Sequence, residues 1–314
     1  MWKLIKRCKK IKYSALFGWL LCALSLPVGA ATCENTPSSQ STPRLVRYAI
    51  NDAEGLYYQQ NEYFFAVLQL ALQKSQSGFA IKCVAVPTLP QGRSLSLIQD
   101  GYYDIHWMGT SIEREGQLKP IRIPLYKGLI GLRLAFVSDQ QPDLLANVDS
   151  LAKLSKLVAG QGRDWIDSKV FHHHQLKMIE TSDTMALFEL LKIGRIEYFP
   201  RSVVEIWYEQ QLMHNEGVAV DQHIALYYPT AVYFFVRNDD EQLHLVVSKG
   251  LNAAIDDGSF DALFYQHYGD FISRANLAKR RIFRMDNPYM SAQTPLDVAR
   301  LWFDFSSAAS QQHR

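Results

Sequence analysis

Two apolar runs, LIGLRLAFV (129–137) and TAVYFFVR (230–237), constrain this chain more than any other feature of its sequence. Both read as extended segments. They bracket a block of roughly one hundred residues, about the usual size of a domain. That spacing describes one lobe inserted into another and joined to it by two strands.

Strand and helix patterns alternate on both sides of these runs, which is the signature of an α/β protein with mainly parallel sheets. Strands are predicted at 45–50, 79–86 and 103–108, with helices at 61–76 and 93–99. Inside the block, strands are predicted at 157–160, 177–180 and 196–199, and helices at 164–171, 183–193 and 202–213. A helix at 240–257 follows the second run. The expected architecture is a discontinuous first lobe (44–134 and 238–314) and a second lobe (135–237), each a mixed, mainly parallel sheet flanked by helices, with two hinge crossings. Leu301, Trp302 and Phe303 in the tail are expected to pack back on the first lobe.

Residues 1–30 read as an export signal: six basic residues precede the apolar run from Ala15 to Val28, and Val28-Gly29-Ala30 offers a cleavage site. Retention as a membrane anchor is the alternative. Residues 31–43 read as a flexible leader. Cleavage takes Lys plus Arg from 33 to 27 against 31 Asp plus Glu, so the net charge moves from +2 to −4. Such a chain has no basic surplus for a nucleic acid. Cys33 and Cys83 remain after cleavage, either as one disulfide or as two free thiols.

The stretch DIHWMGTSIERE (104–115) carries the functional question. A strand ends at Gly109, and Thr110 with Glu113 matches a capping box, so a helix is expected to start at the strand's carboxyl edge. The helix end and the guanidinium of Arg114 would face one crevice and suit an anion, most simply a carboxylate. The plainer reading of the spacing alone is a surface arginine paired with Glu113 or Glu115.

GYYDIHWMGTSIER resembles the strand, Gly-x-Thr turn and arginine of the family 3 periplasmic solute-binding proteins, whose members serve polar amino acid ABC transporters. LAKLSKLVAGQGRDW, LLKIGRIEYFPRS and YFFVRNDDEQLHLVVSKGLNAAIDDGSFDALFYQHYG resemble later segments of that family in order, from Leu45 to Gly269. WMGTSIERE, PIRIPLYKGLIGLR, YFPRSVVEI and NPYM are similar to an uncharacterised proteobacterial branch. The resemblance implies a type II two-lobed fold and a monomer in the Gram-negative periplasm, with an ABC permease or a membrane sensor as partner. Arg114 would hold a ligand carboxylate.

The resemblance also implies an acid for the ligand ammonium where this chain has Pro200, Arg201 and Ser202, and a Gly-Thr turn where it has Gly162-Arg163. Arg114 facing Arg163 or Arg201 would then suit a solute negative at both ends, and dicarboxylates are expected to outrank neutral amino acids. Arg201 is equally read as an ion pair with Glu205 one helical turn on. The expected ligand-binding set is Arg114, Thr110, Gly109, Trp107, Tyr57, Arg163, Trp165 and Arg201. Tyr58 and Tyr126 are further aromatic candidates, and Trp107 has the strongest competing reading as core.

No cofactor is implied, and nucleotide, serine-hydrolase and zinc-protease motifs are missing. His172, His173 and His174 are read as a solvated helix end, because consecutive helical residues diverge by about 100°. A dehydratase-like enzyme on the same scaffold is the competing class, with Glu113, Glu205 or Asp164 as its acid or base.

Overall fold

A computed structural model describes residues 43–51, 58–86 and 91–304, all within one unit spanning residues 33–314. The expected signal, residues 31–42 of the leader and Tyr57 lie outside the described residues. Among the described residues no helix is long and apolar enough to cross a membrane.

The first sheet is built from β1 (Leu45–Asn51), β2 (Ala80–Val86), β3 (Ile105–Gly109), β4 (Lys119–Ile121) and β11 (Val232–Val236). Its order is β2-β1-β3-β11-β4, with β1 parallel to β2 and β3, and β11 antiparallel to β3 and β4. Parallel neighbours need a crossover, which α1 (Tyr58–Ser75) and α2 (Gln91–Gln99) supply. Tyr63, Phe64, Val67, Leu68, Ala71 and Leu72 recur at three and four along α1 and are buried. That helix packs against α8 (Glu241–Asp256) so closely that a Cβ at Gly250 would lie 1.8 Å from the Ala71 carbonyl oxygen.

The second sheet gathers around β5 (Leu132–Ser138), which pairs antiparallel with β8 (Phe199–Ser202), β9 (Val218–Val220) and β10 (Ile224–Tyr227). A parallel pair, β6 (Val158–Gly162) and β7 (Lys177–Thr181), joins it through a bridge between Ala159 and Tyr198. Helices α4 (Leu151–Leu154), α5 (Ile166–His173), α6 (Thr184–Lys192) and α7 (Ile206–Leu212) accompany this sheet. The fold is therefore two-lobed α/β with mixed sheets flanked by helices.

Four sequence expectations need correction. The run TAVYFFVR is not itself a crossing: β11 lies wholly in the first sheet, and the chain returns through residues 228–231 just before it. Tyr228 N–H donates to the Gly131 carbonyl at 3.2 Å, so the two crossings run side by side, and a Cβ at Gly131 would sit 2.0 Å from the Tyr228 oxygen. The strand expected at 196–199 is instead Phe199–Ser202, displacing the start of the next helix to Ile206. Pairing with β5 decides this, and Pro200 is tolerated because β8 is an edge strand of its sheet.

The tail is the third correction. After α9 (Ser259–Ala275), β12 (Arg281–Arg284) pairs parallel with β10, so part of the stretch 238–314 belongs to the second sheet. The chain then returns, and Leu301, Trp302 and Phe303 pack on the first lobe as expected, with Phe303 N–H donating to the Lys127 carbonyl at 2.8 Å. The fourth concerns α3 (Ile112–Gln117): its N-cap is Ser111, whose hydroxyl accepts from Arg114 N–H at 3.2 Å, while the Thr110 hydroxyl donates to Glu115 at 2.5 Å. Thr110 and Glu113 form no capping box. Cys83 is disulfide-bonded, which excludes the reading of two free thiols.

Candidate functional site

A cavity of about 420 Å³ opens between the lobes, walled by β3 and α3 on one side, by the β6 and β8 edges on the other, and floored by the two crossings. Trp107, Gly109, Arg114, Arg163, Trp165 and Arg201 all line it. Thr110 is buried but absent from the lining, because its hydroxyl turns to Glu115, which in turn pairs with Arg122 at 2.7 Å.

Arg114 is only 9% exposed, although it projects from a six-residue helix at the cavity wall. Its Nη1 donates to the Gly109 carbonyl at 2.6 Å, so the residue ending β3 aims the guanidinium. Burial pulls the Arg114 pKa below its ordinary value, against the opposing fields of Glu113 and Asp164. A guanidinium in that state gains from an anion that replaces lost hydration.

Arg201 takes the ion-paired reading, reaching Glu205 as its spacing suggests and Glu209 more closely. Its Nε donates to both Glu209 carboxylate oxygens, at 2.9 and 2.7 Å, and its Nη2 makes a further short hydrogen bond to Glu209 and lies 3.3 Å from Glu205. The guanidinium stacks over the Trp165 ring with its carbon 4.5 Å from the centroid. Arg133, at the start of β5, reaches Asp167 at 2.5 Å and Glu205 at 3.3 Å. Two arginines thus meet three carboxylates, and this floor has no surplus positive charge.

Burial would raise the Glu205 pKa, but Arg201 and Arg133 together outweigh it and hold the carboxyl below its usual range. Burial pushes Glu209 up, opposed by Arg201. Glu205 also accepts from Ser202 N–H at 3.1 Å and from Gln60 Nε2 at 3.0 Å, the latter reaching across from α1 of the first lobe. A second cross-lobe contact joins Lys169 to Glu113 at 3.3 Å.

Arg163 is exposed at the cavity rim, and Trp165 is half-buried, folded over Gly162 so tightly that a Cβ there would overlap its indole at 2.3 Å. Trp107 lines the cavity with one part and stacks on Phe64 with ring centroids 4.4 Å apart, combining both readings of that residue. Tyr126 is buried and also reaches the lining. Sequence reasoning missed Gln60, His106, Arg133, Asp167 and Asp183, all of which line the cavity. His106, preceding Trp107 in β3, has its pKa held at about 4 by burial, and its Nδ1 has no hydrogen-bond partner among the described residues.

No family model matches the sequence, and no curated protein matches it significantly. Solved structures match its fold. A Salmonella typhimurium periplasmic binding protein described for high arginine specificity aligns at a TM-score of 0.54 and 15% identity, covering 72% of this chain and 99% of that one. A histidine kinase sensor domain with similarity to periplasmic binding proteins aligns at 0.53 and 15%, covering 72% and 96%. An ancestral amino acid-binding protein described as a precursor of cyclohexadienyl dehydratase aligns at 0.51 and 17%, covering 71% and 95%. The chain has the two-lobed fold of the periplasmic binding proteins.

Proposed function

We propose that this protein captures a small amino-acid-like zwitterion between its lobes, in the Gram-negative periplasm, for ABC transport or for sensing. Arg114 takes the carboxylate, Trp107 and Trp165 wall the solute, the Gly109 carbonyl orients the arginine, and Arg163 closes the rim. Arg201 contributes by holding Glu205 and Glu209 in place. The observation that carries this reading is the charge distribution at one cavity: a buried arginine on the first lobe faces a floor on which Arg133 and Arg201 are already matched by Asp167 and Glu205 in the lining and by Glu209 buried behind it. A second carboxylate on the ligand would meet that acidic floor, whereas an ammonium is attracted to it.

The same geometry favours binding over catalysis. A dehydratase-like enzyme needs a carboxyl free to exchange a proton. Glu205 is held ionised and fixed by two arginines, Gln60 and Ser202 N–H, and so acts as a stationary counter-charge. Glu113 and Asp164 are exposed.

A thermal-shift screen of the mature protein against amino acids, dicarboxylates and short peptides tests the proposal. A ligand at 100 times its Kd adds about 2.7 kcal/mol of stability. An amino acid should give the largest shift, and Arg114→Met should abolish it. A dicarboxylate outranking every amino acid refutes the charge argument, and a panel without any shift refutes solute capture.

A further inference from the structure

The tail ties the two lobes together beyond the crossings. Met285 N–H donates to Tyr227 at 2.8 Å beside the second sheet, Asn287 Nδ2 donates to the Pro229 carbonyl at 2.9 Å, and the Tyr289 carbonyl accepts from Ile112 N–H at 3.2 Å, at the start of the helix that carries Arg114. Where this strap leaves the second lobe, Asp286 meets the end of α5. His173 Nε2 lies 3.3 Å from Asp286 Oδ2, and His174 Nε2 lies 3.0 Å from Asp286 Oδ1. One ligand atom from each of the three side chains falls within 4.8 Å of the others.

The divergence expected of consecutive helical histidines fails here because the helix ends. His173 is its last residue and His174 its C-cap, with φ −87° and ψ 9°, and the two rings meet edge to face with centroids 5.0 Å apart. Both Nε2 atoms are thereby turned to one carboxylate supplied by the strap.

We propose that His173, His174 and Asp286 form a surface site for a divalent transition-metal ion of the zinc class. Bonds of about 2.0–2.1 Å to a tetrahedral ion place adjacent ligand atoms roughly 3.3 Å apart; the two nitrogens lie 3.3 and 3.0 Å from opposite oxygens of one carboxylate, and one ligand atom from each residue lies within 4.8 Å of the others, so a small side-chain shift closes the trio on an ion. Two imidazoles with one carboxylate suit zinc and its neighbours, whereas calcium and magnesium prefer oxygen donors throughout. Three protein ligands leave a fourth position for water. The side chains of His174, His173 and Asp286 are 15%, 41% and 70% exposed, so an ion enters directly from solvent. An ion bound here would fasten the strap to the second lobe, three residues before Tyr289 meets the start of α3.

The competing occupant is the proton: with an N–H on Nε2, His174 donates to the Asp286 backbone carbonyl at 3.0 Å, and both rings lie within ion-pair distance of the carboxylate. Titration of tag-free mature protein with zinc chloride at pH 7.5, read by calorimetry and by melting temperature, separates the two. The expected result is one site and a melting temperature raised by zinc and restored by EDTA. Loss of a residue that only hydrogen-bonds a metal ligand typically weakens metal binding 10–100-fold, so loss of a ligand in His174→Ala or Asp286→Asn should weaken it at least about tenfold. Asp286→Asn alters an exposed side chain and leaves the fold intact, and His172→Ala, an exposed neighbour outside the trio, should bind as the parent does. Absence of zinc binding in the parent, or equal binding in Asp286→Asn, overturns the site and leaves the hydrogen-bonded reading. Neither result bears on solute capture in the cavity.

Discussion

Replacing Arg201 by Met distinguishes a structural cation from one held ready for a ligand. Arg201 is 2% exposed, and it is the cation hydrogen-bonded to the Glu209 carboxylate, itself 1% exposed. Met keeps much of the aliphatic stem and the contact with Trp165, so the loss is chiefly electrostatic. Breaking a buried pair by removing one partner costs about 3–5 kcal/mol. Protonation sets an independent ceiling: at pH 7.5 a carboxyl that ordinarily titrates near 4.5 takes up a proton for about 3 units at ~1.4 kcal/mol each, or roughly 4 kcal/mol. The melting temperature of the unliganded protein should therefore fall by on the order of 10 °C.

The pH dependence gives the sign. In the variant the folded pKa of Glu209 lies above its unfolded value, so the penalty is full at pH 7.5 and shrinks as pH falls, to roughly 1 kcal/mol near pH 5. Arg201→Met combined with Glu209→Leu removes both charges and should recover most of the loss. Calorimetry of the three proteins at pH 7.5 and pH 5 checks this. A drop under about 2 °C for the single variant, or the same drop at both pH values, refutes the view that Arg201 is committed to Glu209.

Burial holds the folded His106 imidazole at about 4, below its ordinary 6.5, so the unfolded chain binds that proton first on acidification. The associated stability is full above about 6.5 and lost between there and about 4, by roughly 1–3 kcal/mol after discounting for partial exposure; His106→Gln should flatten the melting temperature over that range, and an unchanged profile refutes the assignment. Gly250→Ala forces α1 and α8 apart at the Ala71 carbonyl and should cost about 1–3 kcal/mol in urea denaturation. An alanine variant as stable as the parent would mean that the two helices do not approach so closely.

Much of the fold was legible in the sequence because it depends on neighbours along the chain. Apolar spacing located α1, α6 and α8 within a few residues, and the apolar strands at 45–50, 79–86 and 177–180 lie within a residue or two of β1, β2 and β7. Arg114 was legible as a cavity residue because a strand end, a turn and a helix start are all encoded between Ile105 and Gln117. The limit appears at YFPRS, whose local pattern suggests a strand ending at Phe199; pairing with β5 carries the strand to Ser202 instead.

The charge state of the cavity floor was beyond the sequence. Spacing placed Glu205 within reach of Arg201, but Glu209 reaches it only because a strand turns into a helix between them, Asp167 reaches Arg133 from another element, and Gln60 reaches Glu205 from the other lobe. Asp286 meets His174 across 112 positions of chain. Backbone periodicity follows from contacts a few residues apart, so the sequence alone determined most of the elements and the alternation of an α/β fold, while strand pairing decided where β8 runs and which sheet the tail strand joins. Whether a charge is spent on a neighbour or offered to a ligand depends on distances through space and on exclusion of water, and those only the tertiary structure decided.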